Sequence, residues 1–569
     1  MSQTRPWLQH YPSGISTEID TDAFRTIADV FNTSVIKYRH CPAYTNFGKT
    51  LTYGEVDLLT KQFASYLLNV LKLKKGDRIA LMMLNCLQYP VATFGALCAG
   101  LTVVNVNPLY TARELKHQLV DAGSTVLVVM DNFCTTVQQI IADTPIKQVI
   151  TTELGDLLDF PKRSLINFAV KHIKKLVPEY QLPRSIRFRE ALALGSKHSM
   201  PPIHIASDDL AFLQYTGGTT GTPKGAMLTH RNMVANMQQV SQWLQTSNSL
   251  KEGCETVLTA LPLYHIFALT ANSLVFMKIG GCNHLISNPR NMRAFVKELQ
   301  RVRFTVITGV NTLFNKLLNT PGFDKLDFSS LKIALGGGMV IQRSVAEQWK
   351  QVTHVPLIEA YGLTEASPAA CINPLNLQEH NGSIGMPIPS TDVCIKDDTN
   401  GVLPIGEMGE LCIKGPQVMK GYWQRPEETS EVLDADGWLH TGDIVKMDKQ
   451  GFLYIIDRKK EIILVSGFNV YPKEIEEVIA MIPGVAEVAA VGVPDEQSGE
   501  VVKVVIVKKD PMLTAEEVKA HAATNLTRYK LPRIIEFRAT LPKTDVGKIL
   551  RRELRDAAPA SNTFTAQPK

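Results

Sequence analysis

Between Ile79 and Asn105 the chain carries no charged residue, within its longest such stretch. A run of that length admits a membrane span, which takes about 20 consecutive apolar residues as one helix. Its punctuation argues against one: Asn85, Gln88, Pro90, Thr93 and Gly100 interrupt the apolar surface. Arg78-Ile-Ala-Leu-Met-Met reads instead as a short buried strand, Tyr89 to Ala99 as a helix, and Thr102-Val-Val-Asn-Val as a second strand. A buried strand–helix–strand unit calls for a parallel sheet with both faces covered. The alternation extends over residues 20 to 150, with helical spacing from Tyr53 to Leu71 and a further β-type run ending Thr125-Val-Leu-Val-Val-Met. The expected class is therefore α/β, with covered and mainly parallel sheets.

At 569 residues the chain exceeds one ordinary domain. Hydrophobic content of 45% with 20% charged residues is that of a globular protein with a large core. A net charge of +5 over this length does not argue for nucleic acid as a partner. The nine cysteines are scattered from Cys41 to Cys412 with no C-x-x-C pair, which points to reduced thiols and a cytoplasmic protein. The first ten residues lack the apolar core of a signal peptide.

After the apolar run Leu210-Ala-Phe-Leu comes Tyr215-Thr-Gly-Gly-Thr-Thr-Gly-Thr-Pro-Lys224-Gly225. Glycines let a backbone turn sharply and bring its N–H groups against a ligand; threonine hydroxyls and a lysine add donors and charge. A strand feeding such a loop suits a polyphosphate. It is not a Walker A loop, which requires Gly-Lys followed by Ser or Thr, because Lys224 stands between Pro223 and Gly225. Further islands sit at strand-to-loop junctions: Leu261-Pro-Leu-Tyr264-His265-Ile-Phe267, Gly336-Gly337-Gly338, and Glu359-Ala-Tyr361-Gly362-Leu363-Thr364-Glu365. Ligands of open α/β sheets bind at such strand ends.

Between Pro161 and Arg189, Leu165, Ile166, Ala169, Val170, Ile173, Leu176 and Val177 recur at helical spacing, with Arg163, Lys171, His172, Lys174 and Lys175 around them. A basic amphipathic helix fits an anionic membrane surface, and it fits ordinary packing on the core equally well. From about residue 383 to 455 Gly and Pro punctuation suggests a small β-subdomain. Asp436-Gly-Trp-Leu-His-Thr441-Gly442-Asp443 leads into Asp457-Arg458-Lys459-Lys460, a charged joint, and residues 461 to about 555 follow an α+β pattern. The last stretch, 557–569, is polar and aperiodic and is expected to be a disordered tail.

Together these islands, in this order and over nearly the whole chain, resemble the AMP-forming acyl-CoA synthetases of the adenylate-forming superfamily, most nearly their bacterial long-chain fatty acid–CoA ligases of β-oxidation. The resemblance implies an N-terminal adenylation domain over residues 1–459 and a smaller mobile C-terminal domain over 460–556. It implies ATP, Mg²⁺ and coenzyme A as requirements, a long-chain fatty acid as substrate, and a place in fatty acid uptake and degradation at the cytoplasmic face of the inner membrane. It assigns Thr216, Gly217, Gly218, Thr219, Thr220, Gly221 and Lys224, after Tyr215, to the β/γ-phosphates, and Gly336, Gly337, Gly338, Tyr361 and Gly362 to the adenine side. Thr364 would donate to the α-phosphate and Glu365 would hold Mg²⁺. Asp443, helped by Arg458, would take the ribose hydroxyls. His265 and Phe267 would line the acyl pocket, in binding or gating and not as acid or base. Ser466, Gly467 and Phe468 would border the pantetheine path, and Lys460 matches the hinge. In Leu541-Pro-Lys543-Thr-Asp-Val-Gly547-Lys548, the match to a Pro-Lys-Thr-x-x-Gly-Lys ending singles out Lys548 to bridge the fatty carboxylate and the α-phosphate. Three other functions share these motifs: delivery of the acyl group to a carrier-protein thiol, a luciferase-like oxygenase, and a nucleotide- or acyl-binding sensor without turnover. Intact Lys548, Glu365 and loop 215–225 weigh against the sensor.

Overall fold

The computed structural model describes residues 5–216, 223–245, 250–466, 468–495, 498–544, 547–555 and, as backbone, 563–565. They form two compact units, one of residues 5–392 with 413–439, the other of residues 393–412 with those from 440 onward.

The first unit contains two large sheets. One has seven strands in the order Ser185–Arg187, Gln148–Thr152, Val126–Met130, Arg78–Met82, Thr102–Asn105, Leu210–Thr216, Lys224–Thr229. All its pairings are parallel except the last, where Leu210–Thr216 and Lys224–Thr229 run antiparallel. The other has nine strands, with a parallel centre of Pro42–Asn46, Cys282–Leu285, Thr256–Thr259, Val306–Gly309, Ile333–Gly336 and Leu357–Gly362 and antiparallel strands at both edges. The uncharged stretch is the strand–helix–strand unit its punctuation implied: every residue of the helix Gln88–Cys98 is buried between Arg78–Met82 and Thr102–Asn105. A helix apolar all round belongs inside a core. No helix among the described residues is long and apolar enough to cross a membrane.

Local sequence starts several helices. Thr26 with Asp29, Thr52 with Glu55, Thr111 with Glu114 and Thr514 with Glu517 are reciprocal capping boxes, in which each side chain takes the other's backbone N–H. Each satisfies donors that the first helical turn leaves open, worth about 1 kcal/mol apiece.

The second unit holds a four-stranded sheet, Asp392–Lys396, Met408–Lys414, Leu439–Met447 and Leu453–Arg458, and a sheet centred on Gly499–Lys508. Helices Pro472–Ala480 and Ala515–Asn525 cover the latter through Ile475, Ile479 and Val518. The Asp457 carboxylate accepts the N–H of Lys473 at the start of Pro472–Ala480, at 2.8 Å, an anion placed at a helix N-terminus. Within the segment expected to be disordered, Thr563–Thr565 pairs antiparallel with the edge strand Ile534–Arg538. An open sheet edge offers unpaired N–H and C=O groups, which polarity and aperiodicity do not reveal.

The basic amphipathic segment departs from both simple pictures. Its helix runs only over Lys162–Phe168 and continues as a wider turn over Ala169–Ile173, and none of these residues is buried. It is only partly covered, with Ile166, Asn167, Ala169 and Val170 half-buried. Asn167 tethers it, accepting the Gly155 N–H at 2.8 Å and donating to Glu153 at 2.9 Å, while Phe160, Leu165, Phe168, Ile173 and Leu176 stand between 53% and 78% exposed.

Candidate active site

Four loops of the first unit leave the C-terminal ends of strands in the two large sheets, and each carries candidate residues. Leu210–Thr216 delivers Tyr215, which is buried and donates its hydroxyl to Asp121 at 2.6 Å. Burial, reinforced by that carboxylate, holds the Tyr215 phenol well above its ordinary pKa, so it remains a donor. Thr216 pairs with Lys224 across the antiparallel ladder, which sets both at the mouth of the intervening loop. Gly217, Gly218, Thr219, Thr220 and Gly221 lie outside the described residues.

After Thr256–Thr259, the segment Leu261–Tyr264 is fixed by side chains from the seven-stranded sheet's neighbourhood. Buried Asn85 donates to the carbonyls of Thr259 and Leu261 at 3.0 and 2.9 Å and accepts the Leu263 N–H at 2.9 Å. Tyr89 donates to the Leu263 carbonyl and Gln214 to that of Tyr264. His265 then caps the turn Ile266–Ala268, its Nδ1 accepting the Phe267 N–H at 3.4 Å.

Ile333–Gly336 ends in Gly337 and Gly338. Gly338 has φ of +77°, a left-handed conformation that glycine adopts without the penalty of a Cβ. A Cβ at Gly337 would lie 3.2 Å from the Phe267 ring, so the expected acyl-side and adenine-side residues do meet. Leu357–Gly362 contributes buried Tyr361. Gly362 is needed for close approach, since a Cβ there would lie 2.2 Å from the Pro368 carbonyl oxygen. The turn Thr364–Ala366 follows, bearing Thr364 and Glu365.

Two connections were not expected from the sequence. The Tyr422 hydroxyl donates to Glu365 Oε1 at 2.7 Å, and the Lys224 ammonium lies 5.2 Å from the centre of the Tyr422 ring. Burial first, and then the Glu365 carboxylate, raise the Tyr422 phenol well above its usual range. Asp121 is the second hub: besides Tyr215 it receives Arg425 at 2.8 Å, and its carbonyl accepts the Trp423 indole N–H at 3.1 Å. The one sequence signal for these residues is the aromatic pair Tyr422-Trp423 after Gly421.

Among the described residues no three His, Cys, Asp or Glu side chains gather into a metal cage. That donor set fits Mg²⁺ of a nucleotide site, which is bound by one or two carboxylates while substrate phosphates and water complete its shell. Glu365, whose Oε1 accepts the Tyr422 hydroxyl, is a carboxylate of the kind such a site uses.

In the second unit, Asp443 and Arg458 face one another across the antiparallel strands and form an ion pair at 3.0 Å. Thr441 and Glu410 fix the approach, Thr441 accepting the Asp443 N–H and Glu410 the Gly442 N–H. Lys460 is the middle residue of the turn Lys459–Glu461. Ser466 donates its N–H to the Ser498 carbonyl at 2.7 Å, and exposed Phe468 stacks on Tyr529 with centroids 4.8 Å apart; Gly467 lies outside the described residues. Lys548 sits on a tight loop: its N–H bonds Thr544 Oγ1 at 3.1 Å and its carbonyl accepts the Thr544 N–H at 2.7 Å. Arg551, three residues on, bonds Glu476 at 2.8 Å and pairs with Glu461.

Comparison with known proteins agrees with this arrangement. Residues 31–423 match the family described as AMP-binding enzyme, and residues 474–548 match the AMP-binding enzyme C-terminal domain. The chain is 54% identical over 552 residues to a long-chain-fatty-acid–CoA ligase of Escherichia coli O6:H1, covering 97% of this chain and 98% of that protein. It is 52% identical over 550 residues to one of Haemophilus influenzae, covering 97% and 98%. Among solved structures it is similar to ATP-bound MatB from Rhodopseudomonas palustris, at 28% identity and a TM-score of 0.78, covering 93% of this chain and 98% of that one. With more than half its length matched by the family and near-complete coverage of such relatives, the chain belongs to the AMP-binding enzymes, as an adenylate-forming acyl-CoA ligase.

Proposed function

We propose that the protein activates long-chain fatty acids to acyl-CoA at the expense of ATP, and that the residues expected from the sequence do so in the roles given them there. The observations that carry this reading are two contacts at strand ends of one unit: Lys224 and Glu365 both meet Tyr422, and Phe267 meets Gly337. In the first half-reaction a fatty carboxylate oxygen attacks the α-phosphorus, and pyrophosphate leaves from the acyl-adenylate. In the second the CoA sulfur attacks the acyl carbon, AMP leaves, and the thiol proton passes to solvent. Two anions must meet in the first step, so preorganised donors lower its barrier most. Loop 216–224 grips the β/γ-phosphates, Thr364 donates to the α-phosphate, and Lys548 bridges it to the carboxylate. Bound Mg²⁺, held by Glu365, would neutralise phosphate charge. Gly336–Gly338 and Tyr361 take the adenine, Asp443 with Arg458 the ribose, and Ser466 to Phe468 the pantetheine arm. Lys460 is the hinge between residues 1–459 and 460–556. Such closure excludes water from a hydrolysable adenylate.

Pyrophosphate release with and without CoA tests the assignment. Steady release should need CoA, and kcat/KM for free acids from acetate to oleate should rise with chain length. An optimum at acetate would sink the long-chain reading, and turnover with a carrier-protein thiol in place of CoA would favour carrier loading.

The same protein is proposed to work in the cytoplasm, at an anionic membrane surface, feeding fatty acid degradation. None of the nine cysteines forms a disulfide, as in a reducing compartment. The segment 160–176 supports the membrane contact, with Phe160, Leu165, Phe168, Ile173 and Leu176 exposed and Lys171, Lys174 and Lys175 exposed beside them. Apolar burial and lipid charge would act together, at about 1 kcal/mol per basic residue near the surface. Reversing these three lysines to glutamate should abolish cosedimentation with anionic vesicles and leave turnover of a soluble, medium-chain acid intact. Unchanged cosedimentation would refute the contact.

A further inference from the structure

Tyr422 lies on a segment that the sequence motifs leave without a role. Its backbone is held as an extra rung on the strand Lys224–Thr229. Trp423 donates to the Gly225 carbonyl at 2.8 Å, Met227 to that of Gly421 at 2.9 Å, and Lys420 to that of Met227 at 3.0 Å. Thr429 Oγ1 accepts the Tyr422 N–H at 2.9 Å, and the Met419 N–H meets the Glu365 carbonyl at 2.8 Å. One short segment is thus bonded both to the strand that begins with Lys224 and to the turn that carries Glu365. The Tyr422 side chain, buried, spans the same two: its hydroxyl reaches Glu365 Oε1 at 2.7 Å and its ring lies 5.2 Å from the Lys224 ammonium.

We propose that Tyr422 is the positioning residue that couples the two phosphate-side charges of the site, holding the Glu365 carboxylate in one orientation for a divalent cation and steadying the Lys224 ammonium for the phosphates. The proposal rests on the reading that Glu365 holds Mg²⁺ and Lys224 holds phosphate. A carboxylate bound through one oxygen to a fixed hydroxyl keeps its other oxygen in a defined direction, while a carboxylate without that bond swings among rotamers. An ammonium near an aromatic face is attracted to it without giving up its three donors. Both effects spare the substrate the entropy of ordering the site, and so should appear in nucleotide affinity. The two are separable, since the hydroxyl bonds Glu365 and the ring faces Lys224.

Binding of a non-hydrolysable ATP analogue, measured by calorimetry in excess Mg²⁺ and again in EDTA, tests this. The ratio of the two affinities is the metal's contribution. Tyr422→Phe keeps the ring and should shrink that ratio about tenfold, the scale of a lost hydrogen bond to a charged group, while leaving affinity in EDTA unchanged. Tyr422→Leu should lower affinity in EDTA as well. Glu365→Gln should shrink the ratio by itself, and adding Tyr422→Phe to it should have little further effect, because coupled neighbours are not additive. A wild-type ratio in Tyr422→Phe would overturn the proposal. No Mg²⁺ enhancement in the wild type would overturn the Glu365 reading on which it stands. Loss of analogue affinity in EDTA by Tyr422→Phe, with the ratio kept, would mean that the residue serves only the local fold.

Discussion

Lys548→Ala is expected to slow acyl-adenylate formation by about 10²–10³-fold, the loss that follows removal of one preorganised donor to a developing anion. Thioester formation from supplied acyl-adenylate should stay close to wild type, because by then the α-phosphate is already esterified and no second anion has to be brought to it. ATP–pyrophosphate exchange reads the first half-reaction and thiol consumption with acyl-adenylate the second. The local structure makes the comparison clean. The loop around Lys548 is closed by its backbone N–H to Thr544 Oγ1 and its carbonyl to the Thr544 N–H, neither of which involves the ammonium. Leu541 and Leu554 anchor the loop's two ends in a cluster with Ala489, Val491 and Val505. Alanine therefore keeps the loop and removes the charge. Equal loss in both half-reactions would show that Lys548 is not confined to adenylation. Lys460→Pro, at the proposed hinge, should give the opposite division and slow the second half-reaction more than the first. If both survive unchanged in that variant, the hinge lies elsewhere.

Much of the fold was legible because burial leaves a period and a punctuation. The uncharged stretch from Ile79 to Asn105 showed its strand–helix–strand character through the polar residues that broke it. One of them, Asn85, turns out to be functional in position: its amide pins the Leu261–Leu263 segment before His265. A buried asparagine must find partners, but nothing in sequence says that they lie some 175 residues away. The same limit hid Tyr422 and Asp121, whose meaning is in the partners they reach across the unit, Glu365 and Tyr215. Asp443 and Arg458 were recognised separately by motif; the antiparallel register that sets them face to face came from the structure. The amphipathic segment marks a different limit. Helical spacing predicts that one face is apolar, not what covers it, and here no side chain of 162–173 is buried.

Arg551→Ala should cost the C-terminal unit about 3 kcal/mol, as breaking a buried ion pair does by stranding the opposite charge. Its guanidinium meets both oxygens of Glu476 at 2.8 Å and also pairs with Glu461, and all three side chains are largely buried. Burial raises the pKa of Glu476, and Arg551 together with the Ala490 N–H opposes that rise. Removing the arginine lifts it further. A carboxyl whose folded pKa stands above its unfolded value binds its proton more tightly when folded, so its stabilising contribution is present in acid and is lost as pH rises through the folded pKa. The deficit of Arg551→Ala should accordingly be smallest in acid, below the ordinary glutamate range of about 4.3, and grow as pH rises through the raised folded pKa of Glu476. Hydrogen exchange of the Val504–Ile506 amides, central in that unit's sheet, followed across this range reads it directly. Arg551→Lys should recover part of the loss, since an ammonium restores the charge but not the two-pronged contact. A deficit that does not vary with pH would assign the cost to lost packing of the arginine stem. Glu461 follows Lys460 directly, and Arg551 lies just beyond Lys548, so this one guanidinium ties the proposed hinge turn to the loop that carries the proposed catalytic lysine. The variant should for that reason lose adenylation in proportion to its loss of order, while the phosphate grip of the other unit, read as ATP-analogue affinity, stays as it was.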